Sequence, residues 1–426
     1  MAELKKVAIV GGSRIPFCRS GTSYADYSNK NMMTKALKGL VQKYDLKGKA
    51  LGEVSLGAVV KHSKDFSLAR ESTVEAGLAY ETPGLDIQRA CGTSLEAGII
   101  IANKIALGQI DSGIAGGVDT SSEVPIELKP NLSTTLVKLS RARNLKDRIK
   151  TLGHLKPQAL GLTIPAVKEP RTGLSMGEHC ELMAKDWKIP RADQDELASR
   201  SHANAHQAYA DGFYDDLVVP YKKVSRDNNV RDKSGLKKMS KLGPAFDRTT
   251  GDGTITAANS SPLTDGAATS LLCSQEWADE NGLTPMAYLT HSGTAAVDFE
   301  NEEGLLMAPA YAVPRMLQRA GISLQDFDFY EIHEAFAAQV LCTLRAWEDK
   351  KFCQDKLGLD KPLGSIDMDK LNVKGGSIAL GHPFAATGAR ILSTLSKTIK
   401  ENGGGRGLIS ICTAGGMGVC AIVEGA

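Results

Sequence analysis

Aromatic residues make up only 5% of the chain, and the formal net charge is only +2 over 426 residues. So few stacking side chains and so little excess charge argue against a nucleic-acid-binding platform. The eight cysteines, at 18, 91, 180, 273, 342, 353, 412 and 420, form no C-x-x-C pair. That excludes zinc-ribbon and thioredoxin-like motifs. Such thiols are expected to be reduced, as in the cytoplasm. No apolar run reaches the roughly 20 residues of a membrane-spanning helix. The apolar run at residues 7–10 is too short for a signal-peptide core and reads as a first strand. The final Val-Glu-Gly-Ala is not a peroxisomal tripeptide.

What the chain does have is a punctuated stretch at residues 85–117, LDIQRACGTSLEAGIIIANKIALGQIDSGIAGG. Residues 85–90 read as a strand, 95–107 as a helix, and a second strand ends at Ala115-Gly116-Gly117. Cys91 falls at the switch, facing a helix N-terminus with its unpaired N–H groups and partial positive charge. A thiolate is favoured there, with a pKa that can fall to about 3.5–7.5. The competing reading is a buried core cysteine.

Residues 372–417 repeat the pattern: a glycine turn, then His382, a helix over 385–400, a strand over 408–411 and Ala414-Gly415-Gly416. Cys91 aligns with His382. A duplicated α/β unit brings equivalent strand ends together about a pseudo-two-fold axis, so a thiol from one half can meet an imidazole from the other. His333 and Cys412 also fall at predicted strand ends, where open α/β sheets place their sites.

The length suggests two or three domains. Residues 1–120 alternate strand and helix and form an N-terminal core half. Residues 121–240 break the alternation and read as an inserted domain covering a substrate site. Residues 241–275 return to the first half, and 276–426 make the second. The insertion contains helices from Ser175 to about Trp187 and from Arg191 to Asp211, and a polar loop over 224–247. Within it, residues 129–156 carry eight Lys or Arg against one acid, Asp147. This run is either a solvated face or a surface that meets coenzyme phosphates, a partner or an anionic membrane.

An imidazole suits the task of activating a cysteine nucleophile, a second thiol can shuttle a proton, and glycine-flanked N–H groups can hold an oxyanion. His202 and His206 share a helix face but lack the H-E-x-x-H glutamate, so a solvated surface is the better reading. Gly403-Gly404-Gly405 follows a helix and reads as a cap and turn rather than a phosphate loop.

These motifs resemble those of the thiolases. Arg89-Ala90-Cys91-Gly92-Thr93-Ser94 is similar to the nucleophile motif, and residues 259–267 to the coenzyme A loop. His333-Glu334-Ala335-Phe336, Gly381-His382-Pro383 and Cys412-Thr413-Ala414-Gly415-Gly416 are similar to the other three catalytic motifs. The resemblance implies an α/β fold with a duplicated five-layer α-β-α-β-α core and an inserted loop domain. It implies thiolytic cleavage of 3-oxoacyl-CoA, as in fatty-acid β-oxidation, by a ping-pong route. Cys91 is the nucleophile, His382 activates it, Cys412 is the acid/base, His333 holds a water at the enolate oxygen, and the Ala414 N–H serves the oxyanion. Ser261, Met176, Ser175 and Phe336 would line the coenzyme path. Coenzyme A is a substrate, and neither a metal nor a permanently bound cofactor is implied. His333 where asparagine is commoner is similar to subunits of fatty-acid-oxidation complexes. That implies a homodimer or tetramer, a hydratase–dehydrogenase partner and peripheral membrane contact. His179-Cys180 departs from the usual Thr-Ala pair. The alternatives are a biosynthetic acetoacetyl-CoA thiolase and a silent acyl-CoA-binding or scaffold subunit.

Overall fold

The computed structural model describes residues 4–165, 168–232 and 238–426. Among them one mixed sheet runs in the order Phe329–Ile332, Arg406–Thr413, Met417–Gly425, Ala287–Ala296, Val7–Arg14, Thr264–Ser274, Ser112–Asp119, Glu53–Gly57, Gly84–Asp86. Val7–Arg14 and Ala287–Ala296 meet at the centre, Ala8 opposite Tyr288 and Ile9 opposite Ala287. Outward from that seam both halves repeat one plan. An antiparallel strand comes first, then a second antiparallel one preceded in sequence by a long helix, then a parallel one. The duplication expected from sequence is thus a pseudo-symmetry of strand order.

Side chains alternate across a strand, and this sets the layers. Val7 and Ile9 join Leu95, Ile99, Leu392 and Leu395 in a central cluster. Ala8 and Val10 point the other way, to Met32, Leu37 and Leu40. In the second half Ile409 and Ile411 face the centre, while Leu408 faces Val313, Leu317 and Val340. The five layers are therefore Asn29–Lys43 with Leu68–Ala76, one half-sheet, Thr93–Ala106 paired with Thr387–Glu401, the second half-sheet, and Pro309–Ala320 with Ala337–Glu348. Burying a leucine or isoleucine in the middle layer contributes roughly 1.5–3 kcal/mol.

The two middle helices start side by side. Ser94 Oγ accepts the Ala389 N–H at 2.8 Å. A Cβ on Gly388 would lie 2.2 Å from the Leu95 nitrogen, so only glycine permits this approach.

Between Asp119 and Thr264 the insertion treats its helices in two ways. Met176–Asp186 is capped by Ser175 and Glu178 in a reciprocal capping box, and with Arg191–Ala210 it packs into the second-half core. Pro130–Arg141 and Leu145–Gly153 bury no residue. The stretch 157–167 contributes Leu162–Thr163, paired with Glu127–Leu128. Its last two residues, 166–167, lie outside the described residues, as do 233–237 of the expected polar loop.

Three expectations change. The strand expected over 85–90 is only Gly84–Asp86, because the chain bends at once toward the nucleophile turn. His382, expected at a strand end, follows the short helix Ser377–Leu380 instead. His202 is buried rather than solvated, accepting the Arg231 N–H on Nδ1, while His206 is exposed.

Candidate active site

Cys91 sits two residues before the helix Thr93–Ala106, at the end of a tight turn. Ala90 adopts φ +42°, a left-handed value uncommon without glycine. Thr93 fixes the turn by donating to Ala90 O at 2.7 Å and accepting the Arg89 N–H at 2.8 Å. Gly92 is needed for space: a Cβ there would stand 2.5 Å from Val419 Cγ1. The second half delivers His382 from the equivalent position before Thr387–Glu401. Its Nε2 lies 3.2 Å from Cys91 Sγ and its Nδ1 2.7 Å from Thr387 Oγ1. For the ring to take the thiol proton on Nε2, its hydrogen stands on Nδ1 and is donated to Thr387 Oγ1. The His382 backbone N–H is held by Thr264 Oγ1 at 3.1 Å. Asp119 anchors the following turn through Ala385 N–H at 2.7 Å.

His333 follows the strand Phe329–Ile332 and lies beside His382, ring centroids 4.2 Å apart and planes tilted by 47°. One donor atom from each of Cys91, His333 and His382 lies within 4.8 Å of the others. Cys412 ends the strand Arg406–Thr413, buried and near enough to Cys91 for a charge there to raise its thiol. The N–H groups of Ala414 and Cys91 itself face the Cys91 sulfur. Gly415 N–H donates to Glu169 of the insertion at 2.7 Å, which ties down the turn carrying Ala414.

The electrostatics differ from the expectation of a low thiol pKa. Burial pushes the Cys91 thiol up to about 12, and Asp119 adds to that, outweighing the two N–H groups that favour thiolate. Cys91 nevertheless keeps partial exposure. Burial, then the positive charge of Arg390, brings His382 down to about 3. Burial, His382 and Arg390 hold His333 well below its usual range. Burial thus disfavours charge on the thiol and on both imidazoles alike.

The proposed coenzyme residues form one wall. Residues 259–261 zip onto 335–337: Ala337 N–H donates to Asn259 O at 2.9 Å, and Ser261 donates through both N–H and Oγ to Ala335 O. Phe336 meets Phe246 edge-on at 5.8 Å, and Phe246 in turn presses against Gly177, beside Met176. Ser175 spends its hydroxyl on the helix cap. His179 is buried on Thr172 at 2.7 Å, and Cys180 is in the core.

Sequence reading missed Ala90, Thr387, Ser377, Arg390, Glu331, Asp119 and Glu169. Only Thr387, five residues after His382, carried a local signal. Ala90 adjoins Cys91 but has no glycine to announce its left-handed turn, and the others act through chain segments far away in sequence.

The family profile described as Thiolase, N-terminal domain, matches residues 7–276, and Thiolase, C-terminal domain, matches residues 283–425. A protein of Shewanella sp. (strain W3-18-1) named 3-ketoacyl-CoA thiolase is 42% identical over 429 aligned positions, covering 99% of this chain and 98% of the relative. One of the same name from Colwellia psychrerythraea is 42% identical, covering 99% and 97%. Among solved structures, the Bacillus anthracis acetyl-CoA acetyltransferase superposes with TM-score 0.82 at 30% identity, covering 100% of both chains. Human mitochondrial 3-ketoacyl-CoA thiolase superposes with TM-score 0.81 at 26% identity, again over 100% of both.

Proposed function

The chain belongs to the thiolase family, and from that premise we propose that it cleaves 3-oxoacyl-CoA with coenzyme A, releasing acetyl-CoA and a shortened acyl-CoA in fatty-acid degradation. The observation that carries the reading is the 3.2 Å contact of His382 Nε2 with Cys91 Sγ. Cys91 attacks the 3-keto carbon while His382 takes its proton. The N–H groups of Cys91 and Ala414 hold the tetrahedral oxyanion, a contribution of about 10²–10³-fold per donor. The Cα–Cβ bond breaks, Cys412 protonates the enolate carbon, and acetyl-CoA leaves. His333, through a water, and His382 stabilise the enolate oxygen. Coenzyme A then attacks the acyl-Cys91 thioester. Ser261, Met176, Ser175 and Phe336 line its path in this reading. Ser175 reaches it through its backbone or the placement of Met176, since its hydroxyl caps a helix. Coenzyme A is the substrate, and no resident metal or cofactor enters a step.

Whole-chain likeness to proteins named 3-ketoacyl-CoA thiolase supports the degradative direction over the biosynthetic one. Mass spectrometry after incubation with acyl-CoA tests enzyme against silent binder. An acyl adduct on Cys91, absent in Cys91→Ser, is expected. Cys91→Ser with near-native turnover refutes the assignment.

A second reading concerns the helices Pro130–Arg141 and Leu145–Gly153. They expose Leu136, Val137, Leu145, Ile149 and Leu152 beside Arg141, Arg143, Lys146, Arg148 and Lys150. An apolar patch with a basic rim supports docking to a protein partner, here a hydratase–dehydrogenase subunit. Contact with an anionic membrane is the alternative its test must exclude. The unpaired edge of Gly84–Asp86, beside the nucleophile turn, supports a homodimer or tetramer. The eight free thiols support a cytoplasmic site. Among the described residues no helix is long and apolar enough to cross a membrane.

A further inference from the structure

Behind the two imidazoles lies a buried polar relay to which the reaction above assigns no part. Arg390, on the middle helix Thr387–Glu401, is 2% exposed. Its Nη2 donates to Ser377 Oγ at 2.8 Å, and Ser377 Oγ lies 2.9 Å from His333 Nδ1. Its Nη1 lies 3.5 Å from the buried carboxylate of Glu331, which balances the charge. The segment bearing Ser377 has little freedom. Glu334 accepts from Asn372 at 2.7 Å, from Ser201 at 2.7 Å and from Ile378 N–H at 3.1 Å, and a Cβ on Gly376 would strike that carboxylate at 2.2 Å.

The direction of the relay follows from donor counting. A guanidinium only donates, so Ser377 accepts from Arg390 and has one proton of its own to give. The acceptor in reach is His333 Nδ1. An imidazole that accepts on Nδ1 carries its proton on Nε2. His333 Nε2 is buried and has no partner within the protein. As the base of the reaction above, His382 needs the opposite arrangement, its proton on Nδ1 toward Thr387 and its lone pair toward Cys91. Two neighbouring imidazoles of opposite tautomer give the site one base and one donor.

We propose that Arg390 is a positioning residue: through Ser377 it holds His333 as the Nε2–H tautomer, so that Nε2–H anchors the water that donates to the developing enolate oxygen. The proposal rests on the thiolase reading of the site. Reversing the Ser377 hydroxyl would turn His333 Nε2 into an acceptor, which takes one of that water's protons and leaves it one fewer to give the enolate oxygen.

The test is a mutant cycle with a tautomer readout. Ser377→Ala removes the relay without touching a charge, and the pair Arg390→Gln with Glu331→Gln removes it while keeping the interior neutral. Each is made in the wild-type chain and in a His333→Asn background, where no ring remains to be oriented. In the wild-type background each is expected to lower kcat about tenfold or more (a barrier rise of ~1.4 kcal/mol per tenfold), with the KM for coenzyme A unchanged. In the His333→Asn background Ser377→Ala is expected to cost less than about twofold, whereas the Arg390→Gln, Glu331→Gln pair keeps the part of its loss that comes from lifting the charge beside His382. ¹⁵N-histidine NMR, with His333 assigned by its loss in His333→Asn, is expected to show Nε2–H in the wild type and a mixture in Ser377→Ala. Equal losses in both backgrounds, or an unchanged tautomer in Ser377→Ala, overturn the proposal and leave Arg390 a structural residue. If His333→Ala alone kept full turnover, or Cys91→Ser kept acyl transfer, the underlying reading would fall, and this proposal with it.

Discussion

Replacing Gly92 by alanine should cripple the enzyme by a purely steric route. Gly92 has φ −91°, which any residue adopts, so the backbone itself resists nothing. The new Cβ would stand 2.5 Å from Val419 Cγ1 and 3.1 Å from Thr413 Cγ2. Ordinary carbon contacts are about 3.5–4.0 Å, so roughly 1 Å must be taken up between the nucleophile turn and the strand Met417–Gly425. Overpacking of this kind costs about 1–3 kcal/mol. The reduced entropy of an unfolded alanine offsets about 0.4–1 kcal/mol of that. The net loss of stability is therefore about 1–2 kcal/mol, modest for a chain of this size. The effect on rate is larger, because the displaced atoms include Cys91 and its N–H group. A misplacement of 1 Å can cost about 10²-fold. Urea unfolding should show a small fall in midpoint while kcat drops about a hundredfold. Adding Val419→Ala removes the struck methyl and should restore part of the rate, even though it opens a small cavity of its own. Near-native turnover in Gly92→Ala, or no rescue by Val419→Ala, would refute the packing argument.

Other outcomes follow from the same geometry. Cys412→Ala should still let a reactive acyl donor label Cys91 but should abolish α-proton exchange on acetyl-CoA; normal exchange would remove Cys412 from the proton path. Burial lowers His202 from 6.5 to about 4. Between those values the folded chain binds fewer protons than the unfolded one, so this group's stabilisation is complete above about 6.5 and lost as pH falls toward 4, by up to a few kcal/mol. His202→Gln should flatten that acid limb in urea titrations at pH 4.5 and 7, and an unchanged slope would count against it. Reversing Arg141, Arg143, Lys146 and Arg148 to Glu should weaken association with a hydratase–dehydrogenase subunit, more at low salt than at high salt, with turnover of a short 3-oxoacyl-CoA little changed. Loss of binding to anionic vesicles instead would assign the patch to a membrane, and a selective rise in the KM for coenzyme A would assign it to the coenzyme.

The sequence by itself determined the layered α/β architecture, the duplication and the residues that meet. Strand and helix signals are local, so the short apolar run Val7 to Val10 and the apolar face at Leu95 to Ile105 were legible without a partner. The glycine-bounded turns before the two middle helices were legible as equivalents and implied convergence, although His382 follows the short helix Ser377–Leu380 and not a strand. Tertiary structure alone decided the left-handed turn at Ala90, which has no glycine to announce it. It alone decided the burial of His202, whose exposure on a polar helix face had been the natural reading. It turned the shift of the Cys91 thiol upward instead of downward, because a helix N-terminus is visible in sequence whereas desolvation by the opposite half is not. Arg390, Ser377 and Glu331 stand on three separate segments. No periodicity links them, and their role arises only where the pseudo-symmetric halves close around a space too dry to leave a charge or an N–H group without a partner.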